Sequence, residues 1–268
     1  YDMIRLKFSR LVEAYLIKHE HEFNIINPNK PSEKVISQRM GVSVEGAFVY
    51  EPTPGIYEDV VIFDFLSLYP TIIISHNICG ESKASVKVKL KDDEIKKLEK
   101  EGFVKVPGRG LWFNSKKKDF IPTVLENIIN KRVKLKKEIK RRSKKGEDVK
   151  VLDSKLYSLK VLANSFYGYL GFYGARWYSK DSARAITAYA RDYIKKVISD
   201  SEKEGFKVIY SDTDSVMIAL GDKTQKQAHN FVDNINKYLP GAMELEFEGF
   251  FPKAMFVAGK HSERGAKK

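Results

Sequence analysis

Short apolar runs separated by polar residues predict several strands of this chain. Val208–Tyr210 and Val216–Leu220 are such runs, and Ser211-Asp212-Thr213-Asp214-Ser215 lies between them. Two strand-like runs joined by so short a polar segment predict a β-hairpin with Asp212 and Asp214 at its tip. The run Val60–Phe63 predicts a buried strand that ends at Asp64 and leads through a turn into a helix near Pro70.

Helical spacing of apolar residues appears in several longer segments. An amphipathic helix is predicted within residues 1–20, with Ile4, Leu11, Tyr15 and Ile17 among its apolar positions. A long helix is predicted to begin at Asp119 and end before Gly146. A second long helix follows, with Leu152, Leu156 and Ala163 on one stripe. A short polar turn between two helices predicts an antiparallel pair.

Charge narrows the range of partners. The chain has 268 residues and a formal net charge of +13, which favours a polyanionic partner, either nucleic acid or an anionic membrane. The absence of an apolar run of about 18 residues weakens the membrane alternative. Cys79 is the only cysteine, so the sequence predicts no disulfide framework and favours a reducing, cytoplasmic location.

Three aspartates carry the candidate chemistry. Side chains at i and i+2 of an extended chain share one face, so the carboxylates of Asp212 and Asp214 would repel unless a cation lay between them. Asp64 supplies a third carboxylate. Together with the backbone N–H groups of Ser67, Leu68 and Tyr69, these acids suit two Mg²⁺ ions and a triphosphate in phosphoryl transfer. The alternative is a simple Asx-type turn, since Asp, Ser and Thr are common turn residues.

The long helices carry most of the positive charge. Between Lys131 and Lys145 there are ten Lys or Arg residues and one acid, Glu138. Most of these cations are predicted to be solvated. Arg132 and Lys136 are spaced i and i+4, as are Lys160 and Asn164, so each pair shares a helix face. If the two faces oppose each other, they present three cations to one anion.

Three motifs give the chain a family resemblance. Asp64–Ile73, Lys160–Gly168 and Tyr210–Ser215 resemble motifs A, B and C of the family-B DNA polymerases, in the family's order and over about 150 residues. The similarity is greatest to archaeal replicative members. It implies an α+β fold with an antiparallel palm sheet and a two-helix antiparallel fingers insertion. The implied segments are a linker helix and loop at 1–34, palm at 35–118, fingers at 119–168 and palm at 169–268.

The resemblance also implies roles for individual residues. Asp64 and Asp214 would bridge two Mg²⁺ ions with help from Phe65, and Asp212 would be a supporting carboxylate. Tyr69 would lie under the sugar and exclude a 2′-hydroxyl. The remaining implied contacts are Ser67, Leu68, Arg132, Lys136, Lys160 and Asn164 for the incoming nucleotide, Tyr167 and Gly168 for the nascent base pair, and Gly46, Thr213 and Lys267 for DNA.

The implied partners are primer-template DNA and deoxynucleoside triphosphates. Thumb and exonuclease domains are not found in the sequence, so a second polypeptide that supplies the thumb is expected, and a sliding clamp is a further candidate partner. One alternative is a catalytically inactive, DNA-binding subunit with the polymerase fold. A palm-fold RNA polymerase or reverse transcriptase is disfavoured by the helix Lys160–Gly168, which those classes tend not to carry.

Overall fold

The computed structural model describes residues 7–41, 43–84, 90–258 and 266–267. In this part the chain forms helices and antiparallel strands, as the predicted α+β class requires. None of its helices is long and apolar enough to cross a membrane. The α-helices are α1 (Phe8–His19), α2 (Glu33–Arg39), α3 (Leu68–Ser75), α4 (Asp92–Glu101), α5 (Phe120–Ser143), α6 (Lys150–Gly171), α7 (Lys180–Lys203) and α8 (Gln225–Asn236). The strands are β1 (Val49–Tyr50), β2 (Gly55–Phe65), β3 (Phe103–Lys105), β4 (Trp112–Asn114), β5 (Lys207–Asp212), β6 (Ser215–Ala219), β7 (Leu245–Ala258) and β8 (Ala266–Lys267).

Residue contacts divide the chain into two compact units. The first unit comprises Tyr1–Val44 and Ile72–Ile186, and the second comprises Glu45–Thr71 and Thr187–Lys268. The chain passes from one unit to the other within α3 and within α7. The predicted bounds of the palm and fingers are drawn by function, whereas these two units are defined by compactness. The predicted bounds therefore stay a prediction.

The second unit is organised around a six-stranded sheet in the order β1-β5-β6-β2-β7-β8. Neighbouring strands of this sheet are antiparallel, and β2 lies between β6 and β7. One face packs on α8, where the rings of Phe63 and Phe231 lie 5.5 Å apart. Burial of these aromatic side chains stabilises the centre of the sheet.

Strand β2 is longer than its apolar run predicts. The sequence indicates Val60–Phe63, whereas the strand begins at Gly55. Asp59 has a φ of 49°, in the left-handed region, but the register with β7 is the same on either side of it. The residues from Gly55 to Asp59 are mostly exposed, so they lack the apolar run that marks the buried part of the strand in the sequence.

The first unit contains the predicted antiparallel pair, α5 and α6. Asp119 precedes α5 as predicted, and Gly146, with a φ of 75°, lies in the turn that separates the two helices. The side chain of Asn77 fixes the start of α5: its amide donates to the carbonyl of Lys117 at 2.8 Å and its oxygen accepts from the N–H of Asp119 at 2.8 Å.

Helix α1 is the predicted amphipathic helix near the start of the chain. It buries Val12 and Leu16, whereas Ile4, which was expected on its apolar face, lies outside the described residues. The carboxylate of Glu13 accepts from the hydroxyl of Tyr169 at 3.1 Å and from Nε of Arg176 at 3.4 Å. These contacts attach α1 to α6 and to the segment that follows it.

Candidate active site

The predicted hairpin is formed by β5 and β6. Asp212 and Ser215 are the last cross-strand pair, and Thr213 and Asp214 form the turn between them. Thr213 has a φ of 57°, and the N–H of Asp214 donates to the carbonyl of Asp212 at 2.7 Å. The tight turn therefore holds both acids at the tip, as the sequence indicates.

Strand β2 brings Asp64 to this tip. Asp64 pairs with Ser215 on β6, and the N–H of Phe65 donates to the carbonyl of Asp214 at 2.9 Å. Phe65 and Asp214, which are 149 positions apart in the sequence, are therefore joined by a backbone hydrogen bond. Asp64, Asp212 and Asp214 are all half-buried, which leaves each carboxylate partly accessible.

The register between the strands aligns four polar residues in a row across the sheet. Asp212, Ser215, Asp64 and Glu246 are directly paired across β5, β6, β2 and β7, so their side chains share one face of the sheet. Neighbouring strands are about 4.8 Å apart, so Asp212 lies about 10 Å from Asp64 and Glu246 about 5 Å. Glu246 is thus a carboxylate neighbour of Asp64 that the sequence analysis missed.

The carboxylate of Asp212 has local partners. Its Oδ1 accepts from the hydroxyl of Thr213 at 2.9 Å, and its Oδ2 accepts from the hydroxyl of Tyr210 at 3.3 Å. Burial, followed by the negative charge of Asp212, raises the pKa of Tyr210, so this phenol stays a hydrogen-bond donor. These contacts hold the carboxylate of Asp212 within its own hairpin.

The predicted phosphate cradle begins immediately after β2. Ser67 adopts a φ of 54°, and α3 starts at Leu68, two residues earlier than Pro70 suggests. The first N–H groups of a helix have no partner within that helix, so those at the start of α3 suit an anion. Leu68 buries its side chain, so only its backbone could contact a ligand, whereas Tyr69 is half-buried.

The cationic residues of the predicted fingers lie on α5 and α6, in the first unit. Lys136 and Lys160 are exposed, whereas Arg132 is half-buried. Desolvation lowers the pKa of Arg132. Arg132 and Lys160 lie at similar distances along the chain from the turn at Gly146, so they stand at similar heights on the antiparallel pair.

Three further predicted residues continue along α6. Asn164 and Gly168 are exposed and Tyr167 is half-buried. A Cβ atom placed on Gly168 would meet no described atom within 4 Å, so this position leaves room beside the helix. The carboxylates thus belong to the second unit, and the cations, Asn164, Tyr167 and Gly168 belong to the first.

The predicted DNA contact at Gly46 is held by a residue that the sequence analysis missed. Nη1 of Arg191, on α7, donates to the carbonyl of Gly46 at 2.6 Å, and Nη2 lies 3.1 Å from the carboxylate of Glu45. The N–H of Thr213 donates to the carbonyl of Phe48 at 3.1 Å. The segment around Gly46 is therefore connected both to α7 and to the hairpin tip. Lys267 lies in β8, and its side chain is outside the described part.

The donor set fits a divalent cation with an open coordination sphere. Within the described residues, no group of three or more His, Cys, Asp or Glu side chains forms a metal-binding cluster. The carboxylates of Asp64 and Asp214 and the carbonyl of Phe65 offer oxygen atoms, which Mg²⁺ prefers. Mg²⁺ usually keeps several waters, so a site built on these oxygen donors would be completed by water and substrate phosphates.

Comparison with known proteins identifies the family of this chain. The family model described as DNA polymerase family B matches residues 3–261, and the chain belongs to this family. The chain is 38% identical over 264 residues to DNA polymerase 1 of Pyrococcus abyssi strain GE5, covering 97% of the chain and 33% of that relative. It is also 38% identical over 268 residues to the DNA polymerase of Thermococcus gorgonarius, covering 97% of the chain and 32% of that relative.

A solved structure supports the fold assignment. The family B DNA polymerase from the hyperthermophilic archaeon Pyrobaculum calidifontis matches with a TM-score of 0.68 and 28% identity, over 95% of this chain and 31% of that one. The predicted family and fold class are therefore confirmed. The chain spans about a third of the length of these curated relatives.

Proposed function

We propose that this chain is the catalytic region of a DNA-directed DNA polymerase. It would extend a primer on a template strand with deoxynucleoside triphosphates. The hydrogen bond between Phe65 and Asp214, which holds two candidate metal ligands side by side, carries this proposal. Family membership supports it independently. The predicted palm, at 35–118 and 169–268, would hold the primer end, and the fingers, at 119–168, would bind the nucleotide.

The residues of the second unit would organise the reacting centre. Asp64, Asp214 and the carbonyl of Phe65 would hold two Mg²⁺ ions. When bound, Mg²⁺ lowers the pKa of a hydroxyl and neutralises developing charge on phosphate oxygens. Asp212 would position the hairpin through Thr213 and Tyr210 rather than bridge metals.

The substrate would be held by backbone and side-chain donors. The N–H groups at Ser67, Leu68 and Tyr69 would bind the triphosphate, and the ring of Tyr69 would exclude a 2′-hydroxyl. The fingers would add cations to the triphosphate and a surface to the nascent base pair. These fingers residues are Arg132, Lys136, Lys160, Asn164, Tyr167 and Gly168. Gly46, Thr213 and Lys267 are the proposed DNA contacts.

We further propose that tight duplex binding needs a second polypeptide that carries a thumb. An exposed apolar pair on β2 and β7 supports a docking surface: Ile56 is 69% and Met255 68% exposed, and they are direct cross-strand partners. Val257, two residues further on, is 52% exposed. A sliding clamp is a further proposed partner, and the cytoplasm is the proposed location.

Primer extension tests the function. The chain is assayed for single-nucleotide incorporation and for duplex affinity, alone and with a thumb-bearing polypeptide, with Asp64→Asn as the control. We expect incorporation that Asp64→Asn abolishes, and extension by many nucleotides only with the partner. Duplex binding without any incorporation by the wild type would instead identify an inactive DNA-binding subunit. Long extension by the chain alone would contradict the need for a thumb.

A further inference from the structure

A second polar site lies within the first unit. A pocket of about 300 Å³ opens between α1, the 3₁₀ turn Glu20–Phe23 that follows it, and α5. Its floor includes Val124, which is buried. The polar and aromatic groups of its wall are Tyr15, His19, Glu22, Asn127, Asn130, Lys131 and Lys134.

One wall of the pocket is aromatic. The rings of Tyr15 and His19 lie 4.4 Å apart at an interplanar angle of 32°, and both residues are half-buried. Nδ1 of His19 lies 2.8 Å from the backbone carbonyl of Tyr15, and because a carbonyl only accepts, this nitrogen carries the proton. The contact fixes the orientation of the imidazole ring. Because the two rings face each other, a planar group can stack only on the outer face of this ring pair.

The other wall is cationic and amidic. Lys131 and Lys134 are one helical turn apart on α5, and Nζ of Lys131 lies 3.5 Å from the hydroxyl of Tyr15. The ammonium group is therefore held at the aromatic wall. Asn127 and Asn130 lie on the same side of α5 and add amide donors and acceptors. Glu22 contributes one carboxylate to the wall, which still leaves the two lysines in excess.

This pocket is distinct from the proposed triphosphate contacts on the same helix. At about 100° per residue, the Lys131 and Lys134 pair points about 150° away from the Arg132 and Lys136 pair. The two pairs therefore lie on opposite flanks of α5, on either side of its buried stripe. A ligand held by Lys131 and Lys134 could not be the triphosphate held by Arg132 and Lys136.

Tertiary contacts hold the walls in place. The rings of Phe23 and Phe120 meet edge to face at 5.1 Å, which attaches the 3₁₀ turn to the start of α5. Glu13 attaches α1 through Tyr169 and Arg176. The pocket is thus part of the packed fold and does not depend on surface side chains alone. The aromatic wall and Val124 therefore need little ordering on binding, whereas the exposed lysines and asparagines do.

We propose that this pocket binds one nucleotide unit. The base stacks on the outer face of the Tyr15–His19 ring pair, the phosphate contacts Lys131 and Lys134, and Asn127 and Asn130 lie at the polar edges. Aromatic faces combined with cations are the usual means of holding single-stranded nucleic acid without strong sequence preference. The volume is at the lower end of the range for small-ligand pockets, which suits a single nucleotide. The unit could belong to a single strand or to a free mononucleotide.

Direct binding measurements test the proposal without relying on polymerase activity. Deoxythymidine monophosphate is titrated by ligand-detected NMR, and a fluorescent eight-nucleotide oligo-dT by anisotropy, both in the Asp64→Asn background without Mg²⁺. We expect Lys131→Ala/Lys134→Ala to weaken oligo-dT binding at least fivefold. Lys137→Ala/Lys140→Ala, with the same charge loss on the same helix but outside the pocket, should weaken it less than twofold. Equal losses in the two double variants would overturn the proposal, because they would indicate unspecific attraction.

Two single variants separate stacking and charge from unfolding. Tyr15→Leu should weaken oligo-dT binding severalfold while its circular dichroism and Tm stay close to those of the parent. Glu22→Gln should tighten binding, because it removes the one carboxylate of the wall, and no destabilised variant would do so. Weaker binding by Glu22→Gln would overturn the proposal. Pocket-dependent NMR signals from the monophosphate identify a free nucleotide as a ligand, and pocket-dependent binding of the oligonucleotide alone identifies the strand.

Discussion

The backbone N–H of Phe65 donates a 2.9 Å hydrogen bond to the carbonyl oxygen of Asp214. Phe65 directly follows Asp64, so this bond fixes the backbone positions of both proposed bridging carboxylates. Because it is a backbone bond, a side-chain substitution at either aspartate leaves it in place. The two aspartates can therefore be tested chemically with little disturbance of the fold.

The first prediction concerns these carboxylates. Asp64→Asn and Asp214→Asn should each reduce single-turnover nucleotide incorporation by roughly 10³-fold or more, because an amide binds Mg²⁺ far less well than a carboxylate. Asp212→Asn should have a smaller effect, since Asp212 contacts Thr213 and Tyr210. Asp59→Asn is the control on the same strand, because Asn tolerates the φ of 49° found there. Normal rates in Asp64→Asn would contradict the assignment.

A second prediction concerns Glu246, the cross-strand neighbour of Asp64. A nearby carboxylate adds to the local negative potential, which attracts cations. Glu246→Gln should therefore raise the Mg²⁺ concentration needed for half-maximal incorporation about threefold to tenfold. The measurement is a Mg²⁺ titration of the incorporation rate. Glu58→Gln, on an exposed part of β2, should leave the titration unchanged, and a matching shift in that control would point to a general charge effect.

Sugar selectivity provides a third prediction. If the ring of Tyr69 lies beneath the deoxyribose, Tyr69→Ala removes a steric barrier worth about 2 kcal/mol and admits ribonucleotides about thirtyfold better. Tyr69→Phe keeps the ring and should keep the selectivity. The ratio of kcat/KM values for deoxynucleotide and ribonucleotide measures the effect. An unchanged ratio in Tyr69→Ala would mean that this side chain serves only packing.

Arg191 should stabilise the segment around Gly46. Arg191→Ala removes the donor to the Gly46 carbonyl and the partner of Glu45, at a cost of about 1–3 kcal/mol to local stability. Hydrogen exchange at the N–H of Thr213, which bonds to Phe48, should become faster. Arg191→Lys keeps the charge but cannot reach both partners at once, so it should give partial protection. Unchanged exchange in Arg191→Ala would show that the segment is held by other contacts.

Acid stability provides the fifth prediction. Burial lowers the pKa of His76 from 6.5 to about 4, so the unfolded chain binds a proton in this interval that the folded chain does not. The free energy of unfolding is therefore unaffected by His76 above about pH 6.5. It decreases as the pH falls towards 4, by about 3 kcal/mol at most. His76→Asn should make the free energy of unfolding less dependent on pH between pH 4 and 6.5. His21→Gln, at an exposed position, should not.

The sequence predicts local features of the site well and its long-range contacts poorly. Asp212 and Asp214 could be placed at a hairpin tip because turn residues between two apolar runs are a local signal. Glu246 could not be paired with Asp64, because a register shift between Ile62 and Phe63 changes the alignment of β2 with β7. Such irregularities depend on packing between strands, which periodicity does not record.

The contact of Arg191 with Gly46 was missed for a related reason. In the sequence, Arg191 is one of several basic residues on an amphipathic helix. Its partner is a backbone carbonyl, which every residue carries, so the pairing leaves no sequence signal. In the helix pair, by contrast, Asp119 and Gly146 mark the predicted ends correctly, since cap and turn residues are a local signal. Asp119 nevertheless makes no side-chain cap hydrogen bond, and its N–H is bonded by the distant Asn77. Local chemistry therefore predicts where elements end, and tertiary packing decides what their side chains meet.

The left-handed conformation of Ser67 has a consequence for how the centre can move. Only Leu66 and Ser67 separate the end of β2 from the start of α3. The segment that connects the carboxylate of Asp64 to the N–H groups at the start of α3 is therefore very short. A cation held by the first and a phosphate held by the second would be kept at a set spacing. When substrates differ in shape, other residues of the site must move to accommodate them, while the spacing between the carboxylate and these N–H groups stays constant.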